Sequence, residues 1–265
     1  MSFLKLQEKT FLVMGVANKK SVAWFIGTEL VKEGARVIYT VHTEARKEEV
    51  KKRLPDAEIL ICDVEQEESI QACADQLKAM NVELDGIVHS IAYANYSEGL
   101  KPFYETKRKD YLQASEISSF SFVEISNACK DILKPDASVV AIGISSTEIT
   151  AENYGYMAPI KAALLPMARF LAKSFSHHSK VRFNIVGAGP LKTNSSAGIP
   201  GYMDNYLYAE KLTFRKQALK TSEVSDAVLF LLSERSSGMN GTELIVDAGL
   251  SLNYFDKAVV EKAVR

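Results

Sequence analysis

Two tyrosines and a lysine lie close together in the segment NYGYMAPIKAAL, residues 153–164. A phenol can donate a hydrogen bond to an oxygen on which negative charge develops, and an ammonium can hold sugar hydroxyls. The apolar pattern predicts a helix over 153–176, which turns about 100° per residue. Tyr154 precedes Lys161 by seven residues and differs from it in direction by about 20°, whereas Tyr156 diverges by about 140°. Tyr154 is therefore the tyrosine predicted to share a face with the lysine.

A tyrosine and a lysine on one helical face are common in reductases that bind a nicotinamide. Helical side chains lean toward the N-terminus, so Lys161 can reach back over the roughly 10 Å that separates it from Tyr154. In many such reductases the spacing is Tyr-x3-Lys, but Met157 and not a lysine follows Tyr154 at that distance. The interpretation therefore requires a dinucleotide site elsewhere in the chain.

Short apolar runs alternate with longer amphipathic runs along the chain. The runs predict strands at 10–15, 36–41, 58–64, 85–91, 138–143, 181–189 and 242–249, and helices at about 21–34, 43–54, 67–80, 105–133, 153–176 and 222–234. The strands are rich in Val and Ile with little polar alternation, as in parallel strands covered on both faces. We expect an α/β fold: a single-domain, Rossmann-type, doubly wound sheet of about seven parallel strands with helices on both faces. One domain is expected to cover 1–265.

Composition excludes several classes of protein. The 265 residues are 47% hydrophobic with a formal net charge of −1, which argues against a nucleic-acid partner. The N-terminus lacks a signal-peptide pattern and no apolar run is long enough to span a membrane, so we expect a cytoplasmic protein without a membrane partner.

Cys62, Cys73 and Cys129 form no CxxC pair, which predicts buried thiols and no metal site. His89 lies in an apolar run and is interpreted as a core histidine.

Ligands of such sheets bind where the strands end at their carboxyl edge. The first strand is followed by GVANKKSVA, which is not GxGxxG, although Gly15 permits a tight turn and Ser21 opens a helix whose N–H groups can face a pyrophosphate. His42 follows the second strand, where a residue usually selects the adenosine ribose. The acidic side chain of Asp63, after the third strand, can recognise the edge of an adenine by hydrogen bonding. Small residues after the fourth strand, Ser90 to Ala92, allow the backbone to approach a ligand.

Six segments in the same order resemble the enoyl-acyl carrier protein reductases, a divergent branch of the short-chain dehydrogenase/reductase superfamily. They are MGVANKKSVAW, CDV, DGIVHSIAYAN, YGYMAPIKAAL with its Tyr-x6-Lys spacing, VRFNIVGAGPLKT and SSGMNGTELIVDAG. The resemblance covers nearly the whole chain. It implies NAD(P)H-dependent reduction of the carbon-carbon double bond of trans-2-enoyl thioesters in fatty acid synthesis, an acyl carrier protein as partner, and a homotetramer in which helices 105–133 and 153–176 pack across interfaces.

The resemblance also implies roles for single residues. Tyr154 and Lys161 would be catalytic, and Lys161 would also hold the cofactor. The remaining cofactor-binding residues would be Gly15, Ser21, Val22, His42, Asp63, Val64, Ser90, Ile91, Ala92, Leu191 and Thr193. The substrate residues would be Ala94, Tyr154, Ile199, Met203 and Tyr206, the last three from a substrate-binding loop at about 194–212. These three side chains could instead be buried in the core. The cofactor is NADH or NADPH, with NADH slightly favoured. The end of the second strand carries neither an acidic selector nor an unambiguous arginine, so the choice between them stays open.

The chain departs from the family on the substrate side. A family tyrosine ten residues before the catalytic one is replaced by Ile144, which has no hydrogen-bond donor, and the nearby hydroxyls of Ser145 and Ser146 are out of register. Two alternatives therefore stay open beside the enoyl reductase. One is a paralogue that reduces a different enone or carbonyl, and the other is a non-catalytic dinucleotide sensor.

Overall fold

The computed structural model describes residues 3–145, 147–151, 154–193, 196 and 198–264. In these residues seven parallel strands form one sheet, in the order β3-β2-β1-β4-β5-β6-β7. The strands are β1 Thr10–Met14, β2 Arg36–Val41, β3 Glu58–Ile61, β4 Leu84–His89, β5 Leu133–Ile144, β6 Arg182–Ala188 and β7 Glu243–Val246. The predicted doubly wound sheet is confirmed.

Helices connect the strands and cover both faces of the sheet. They are α1 Val22–Lys32, α2 Glu44–Lys51, α3 Glu67–Ala79, α4 Arg108–Ser115, α5 Ser121–Ala128, α6 Met157–Ala162, α7 Leu164–Phe175, α8 Tyr202–Leu212, α9 Thr221–Leu232 and α10 Lys257–Ala263. A π-helical turn, Glu116–Phe120, joins α4 to α5. Within the described part of the chain, no helix combines the length and apolar character that crossing a bilayer requires.

The lack of polar alternation in the strands follows from this two-sided cover. Successive side chains of a strand point to opposite faces of the sheet. In β1, Leu12 and Met14 pack in the cluster that includes residues of α3, α5 and α7, whereas Phe11 and Val13 pack in the cluster that includes residues of α1 and α9. Both faces are therefore core, and an apolar residue is favoured at every position.

Helix α1 follows the predicted pattern. Ser21 is its N-cap residue, and the stripe of Ala23, Ile26, Gly27 and Leu30 is buried. The Ser21 hydroxyl does not cap the first turn of the helix. It closes the preceding turn instead, where it donates to the Asn18 carbonyl at 2.7 Å and accepts from the Ala17 N–H at 3.3 Å.

The start of the predicted helix over 153–176 is wrong. Tyr154 lies in a short turn, Gly155 has a φ of 53°, and α6 begins only at Met157. A residue in the left-handed region cannot continue a right-handed helix, so Gly155 separates the tyrosine from α6. Tyr154 and Lys161 therefore belong to different elements, and their shared surroundings do not follow from helical spacing.

The segment predicted to bind substrate, 194–212, contains helix α8 in its second half. Gly201, with a φ of 68°, precedes the helix. Asn194, Ser195 and Ala197 lie outside the described residues, as does the hydroxyl of Ser146 that sequence analysis weighed as a donor.

Candidate active site

A large concave site lies where strand order reverses, between β1 and β4. Its volume is about 430 Å³. The segments that directly follow β1, β4 and β6 line it together with the last residues of β5. This is the place where open parallel sheets bind ligands, because the connections on either side of the reversal point run in opposite directions and leave a crevice.

The turn after β1 brings two strand ends into close approach. Gly15 has a φ of 84°, a conformation that residues with a side chain rarely adopt. A Cβ atom at this position would lie 2.2 Å from the carbonyl oxygen of Ser90. Only glycine fits, so the backbone itself forms this wall of the cavity, next to Ser21 and Val22 at the start of α1.

Lys161 is a buried cation in the cavity wall, with 5% of its surface exposed. Its Nζ donates to the carbonyl oxygens of Ile91, just after β4, and Ile142, near the end of β5, both at 2.9 Å. Burial lowers the pKa of the Lys161 ammonium to about 7. The two carbonyl dipoles fix the position of the amine, which leaves a further N–H for a ligand.

Tyr154 lines the same cavity as Lys161 but lies outside its helix. Its hydroxyl forms no hydrogen bond within the described residues. Burial raises the pKa of Tyr154, and the neighbouring hydroxyls of Tyr96 and Tyr202 raise it further. The phenol is therefore protonated at neutral pH and available as a donor to a bound ligand.

Most of the residues predicted from the sequence come together in this cavity. Those that line it are Gly15, Ser21, Val22, Ser90, Ile91, Ala92, Ala94, Tyr154, Lys161, Leu191, Thr193 and Ile199. The structure thus brings the predicted catalytic pair, the turn between β1 and α1, and the segment after β6 to one cavity. Their roles in binding and catalysis stay predictions.

The other predicted residues do not line the cavity. His42 is exposed after β2, and Val64 is buried in the core cluster beside α3. Asp63 is half-buried, and its carboxylate accepts from the N–H of Glu65 at 3.2 Å. These three lie near the carboxyl ends of β2 and β3, the side of the sheet where an adenosine would extend from the cavity.

On α8 the cavity is lined by Tyr202 and Asn205, not by Met203 or Tyr206. Met203 is 46% exposed, and Tyr206 faces a smaller cavity beside Pro190. The Tyr202 hydroxyl donates to the Leu191 carbonyl at 2.8 Å and so ties α8 to the segment after β6. Sequence analysis missed Tyr202 because the face of a helix cannot be assigned until its first residue is known.

Further lining residues were not predicted as site residues, although some were quoted within motifs. They are Tyr93, Tyr96, Ile142, Gly143, Ile144, Ser145, Ile149, Ala151, Met157, Ala158, Ala188, Gly189, Pro190, Ser196, Gly198, Tyr202 and Asn205. Some of them directly follow a strand, among them Ser145, Gly189 and Pro190, and for these that position was the available signal. Tyr96 lies farther along the connection after β4, and nothing in the sequence alone placed its ring at the cavity.

The histidine and cysteine interpretations are confirmed. His89 is fully buried, and its Nε2 lies 2.8 Å from the Ser121 hydroxyl. Burial, with Lys161 nearby, lowers the pKa of His89 to about 3, so the ring is neutral in the core. Cys62, Cys73 and Cys129 are buried free thiols.

Known proteins of one family match this chain over nearly its whole length. The family model "Enoyl-(Acyl carrier protein) reductase" matches residues 15–251. An enoyl-[acyl-carrier-protein] reductase [NADH] of Enterococcus faecalis is 34% identical over 93% of this chain and 99% of its own length. An enoyl-[acyl-carrier-protein] reductase [NADPH] of Staphylococcus aureus is 32% identical over 93% and 98%. The crystal structure of the NADH enzyme from Aquifex aeolicus superposes with a TM-score of 0.89 at 28% identity, over 95% of this chain and 99% of that one. The chain therefore belongs to the enoyl-(acyl carrier protein) reductase family.

Proposed function

We propose that the chain catalyses NAD(P)H-dependent reduction of the carbon-carbon double bond of trans-2-enoyl thioesters carried by acyl carrier protein. The observation that carries the proposal is the cavity that holds an unpaired phenol, Tyr154, and a buried amine, Lys161, next to the glycine turn after β1. Relatives that match over more than nine tenths of the chain are named for this reaction.

The residues present fit a dinucleotide. The lack of a Cβ at Gly15 lets the turn after β1 pack against the Ser90 backbone, and the first turn of α1 keeps N–H groups that the Ser21 side chain does not cap and that could face a pyrophosphate. Leu191 and Thr193 would hold the nicotinamide end, and Asp63 and Val64 the adenine end. When bound, the reduced nicotinamide would supply a hydride to the β-carbon of the enoyl thioester, and a proton from water or a relay would complete the reduction at the α-carbon.

Tyr154 would stabilise the charge that this addition leaves on the thioester oxygen. Its hydroxyl has no competing partner in the described residues and donates to that oxygen. The hydrogen bond strengthens as the oxygen becomes an enolate, so it stabilises the transition state more than the ground state. Lys161, held by two carbonyls, would bind the nicotinamide ribose and direct positive charge toward the same region.

We propose NADH as the preferred cofactor. A 2′-phosphate needs a basic group beyond β2. The cations that follow His42 already have carboxylate partners, because Arg46 pairs with Glu49 at 2.5 Å and Lys47 lies 3.8 Å from Glu44. The NADH- and NADPH-named relatives are similar to this chain to nearly the same degree, so this choice rests on the ion pairs alone.

One observation favours a second candidate, a paralogue that reduces a different enone or carbonyl. Ile144 lines the cavity with an apolar side chain where the family resemblance predicts a tyrosine.

Family membership supports four further proposals. They are an acyl carrier protein as partner, a cytoplasmic location, a homotetramer and a single domain over 1–265.

The test is spectrophotometric. Purified protein would be mixed with NADH or NADPH and a trans-2-enoyl thioester, and cofactor oxidation would be followed by absorbance. We expect turnover with crotonyl and longer enoyl thioesters, faster with NADH, and none with 3-ketoacyl thioesters. Turnover of a ketone or simple enone without turnover of enoyl thioesters would support the paralogue. Cofactor binding without any turnover would exclude both.

A further inference from the structure

Two phenols at the cavity lack a partner. Four tyrosines of the described residues line it: Tyr93, Tyr96, Tyr154 and Tyr202. Tyr202 donates to a backbone carbonyl, and Tyr93 is 44% exposed, so its side chain is open to solvent. Tyr154 is the proposed reacting phenol. The remaining hydroxyl, that of Tyr96, is shielded from solvent and has no hydrogen-bond partner in the described residues.

An unpaired buried phenol is costly. Leaving a buried donor unsatisfied costs about 1–3 kcal/mol, and most buried polar groups in folded proteins are paired. Burial, with a contribution from Tyr156, raises the pKa of Tyr96 to about 12, so the group stays a donor at neutral pH. A ligand that brings an acceptor to this wall would satisfy it.

The connection that carries Tyr96 is firmly held. The Tyr156 hydroxyl accepts from the Asn95 N–H at 2.9 Å and donates to the Asn95 carbonyl at 3.1 Å. The Asn95 side chain donates to Asp110 at 3.1 Å. The Tyr96 ring stacks on the ring of Tyr156, with centroids 6.2 Å apart. Its unpaired hydroxyl therefore belongs to a positioned side chain and not to a loose loop.

Tyr96 also belongs to the same packed group as the reacting phenol. Tyr96, Tyr154 and Tyr156 pack against a small buried cluster of Ala114, Met157 and Ile160, together with Ala94. The Tyr96 hydroxyl is near enough to Tyr154 to influence its ionisation. A carbonyl oxygen that enters the cavity beside Tyr154 would be the acceptor nearest to both donors.

We propose that Tyr96 is a second catalytic phenol, which donates to the thioester carbonyl oxygen together with Tyr154. The inference rests on the proposed function. Ile144 on the cavity wall offers no donor, so Tyr96 supplies the second hydrogen bond from the connection after β4. The hydroxyl is covered before ligands bind, but catalytic hydrogen bonds are often long or misaligned in free enzymes and tighten in the complex.

The kinetic test is Tyr96→Phe, which removes the hydroxyl and keeps the ring that stacks on Tyr156. We expect kcat for an enoyl thioester to fall about 10²-fold, the usual loss for one oxyanion donor, with the NADH affinity unchanged. The control is Tyr104→Phe, which removes a phenol that is 85% exposed in the same connection and outside the cavity lining. We expect this control to match the unaltered chain.

A binding test separates the hydrogen bond from packing. Affinities would be measured, with oxidised cofactor present, for a saturated hexanoyl thioester and for the matching thioether, which lacks the carbonyl. We expect Tyr96→Phe to weaken thioester binding about tenfold, the value of one hydrogen bond to a polar ligand, and to leave thioether binding unchanged. Equal losses for both ligands would show a packing role and overturn the inference.

The two tests also separate this inference from the proposed function. If the unaltered chain turns over enoyl thioesters and Tyr96→Phe keeps the same kcat and thioester affinity, the role of Tyr96 is wrong and the proposed function stands. If the unaltered chain neither turns over nor binds the thioester, the proposed function fails and the role of Tyr96 fails with it.

Discussion

Lys161 ties the segment after β4 to the end of β5 within the cavity wall. Its amine bridges the carbonyl of Ile91, next to the first glycine turn, and the carbonyl of Ile142, two residues before Ile144. Burial favours the neutral amine and lowers the pKa of Lys161 to about 7, near neutrality. A ligand hydroxyl or a developing negative charge can therefore change the protonation of this residue.

Replacing Tyr154 by phenylalanine tests the proposed reacting phenol. The change removes one hydroxyl that has no partner in the described residues, so it leaves no buried acceptor unpaired. We expect kcat to fall about 10²-fold, because one donor to the developing oxyanion is lost. Cofactor affinity, measured by fluorescence titration of NADH, should stay the same. A variant that loses cofactor affinity and keeps kcat would contradict this role.

His89 should make the free energy of unfolding depend on pH. The folded chain keeps the ring neutral down to a pKa of about 3, because the ring is buried, whereas an unfolded histidine binds a proton near its ordinary pKa of 6.5. The unfolded state therefore holds more protons between these values, and stability falls as pH falls through this window. The slope is about 1.4 kcal/mol per pH unit for one proton.

The measurement compares urea unfolding of the unaltered chain and of His89→Gln at pH 6.5 and pH 4.5. Glutamine does not titrate and retains groups that can hydrogen-bond with Ser121. We expect the unaltered chain to lose more stability between the two pH values than the variant does. Equal losses would show that His89 is protonated in the folded chain.

At the scale of elements, replacing Gly15 by alanine should disrupt the close contact between the turn after β1 and the residue that follows β4. The new Cβ would lie 2.2 Å from the Ser90 carbonyl, and the φ of 84° is unfavourable for alanine by about 1–2 kcal/mol. We expect weaker NADH binding in titrations and a lower melting temperature. The control is Gly238→Ala, where nothing lies within 4 Å of the added Cβ and φ is not positive. Unchanged NADH binding in the Gly15 variant would exclude this turn from the cofactor site.

The sheet could be predicted from sequence because its strands are short, β-branched and bounded by turn residues. The ends of these strands located most of the cavity, since parallel strands bring their carboxyl ends to one edge. The predicted and observed bounds differ mainly at such ends, for example 58–64 against Glu58–Ile61 for β3. Hydrogen bonding, and not composition, decides where a strand ends.

The start of α6 could not be predicted from periodicity, because tyrosine, glycine and methionine all fit an apolar helix face. The signal that was available is Pro159, which is tolerated in the first turn of a helix and disfavoured farther inside. A helix that begins at Met157 places Pro159 in that first turn. Tyr154 and Lys161 still line one cavity, although they belong to different elements and are not two helical turns apart.

At the scale of the whole molecule, one cavity collects residues from distant parts of the chain. Gly15, Ser90, Lys161 and Leu191 meet because β1, β4, β5 and β6 are neighbours in the sheet and end at the same edge. Helix α8 then contributes Tyr202 from outside the sheet. The residues proposed to bind the cofactor therefore lie mostly at strand ends, and part of the proposed substrate side lies on a separate helix, which explains why the sequence located the first better than the second.

The proposed homotetramer predicts that apolar side chains on the outer faces of α4–α5 and α7 are covered by other copies. Phe170 on α7 is 77% exposed and Leu112 on α4 is 58% exposed in the single chain, so both side chains are open to cover by another copy. We expect Phe170→Asp to shift the sedimentation coefficient from that of a tetramer to that of a smaller species, because a buried unpaired carboxylate opposes association. Val31→Asp on α1, at a site that is 53% exposed, is the control and should leave the tetramer intact. A tetramer that persists in the Phe170 variant would place the interface elsewhere, and a monomer in the unaltered chain would exclude the assembly.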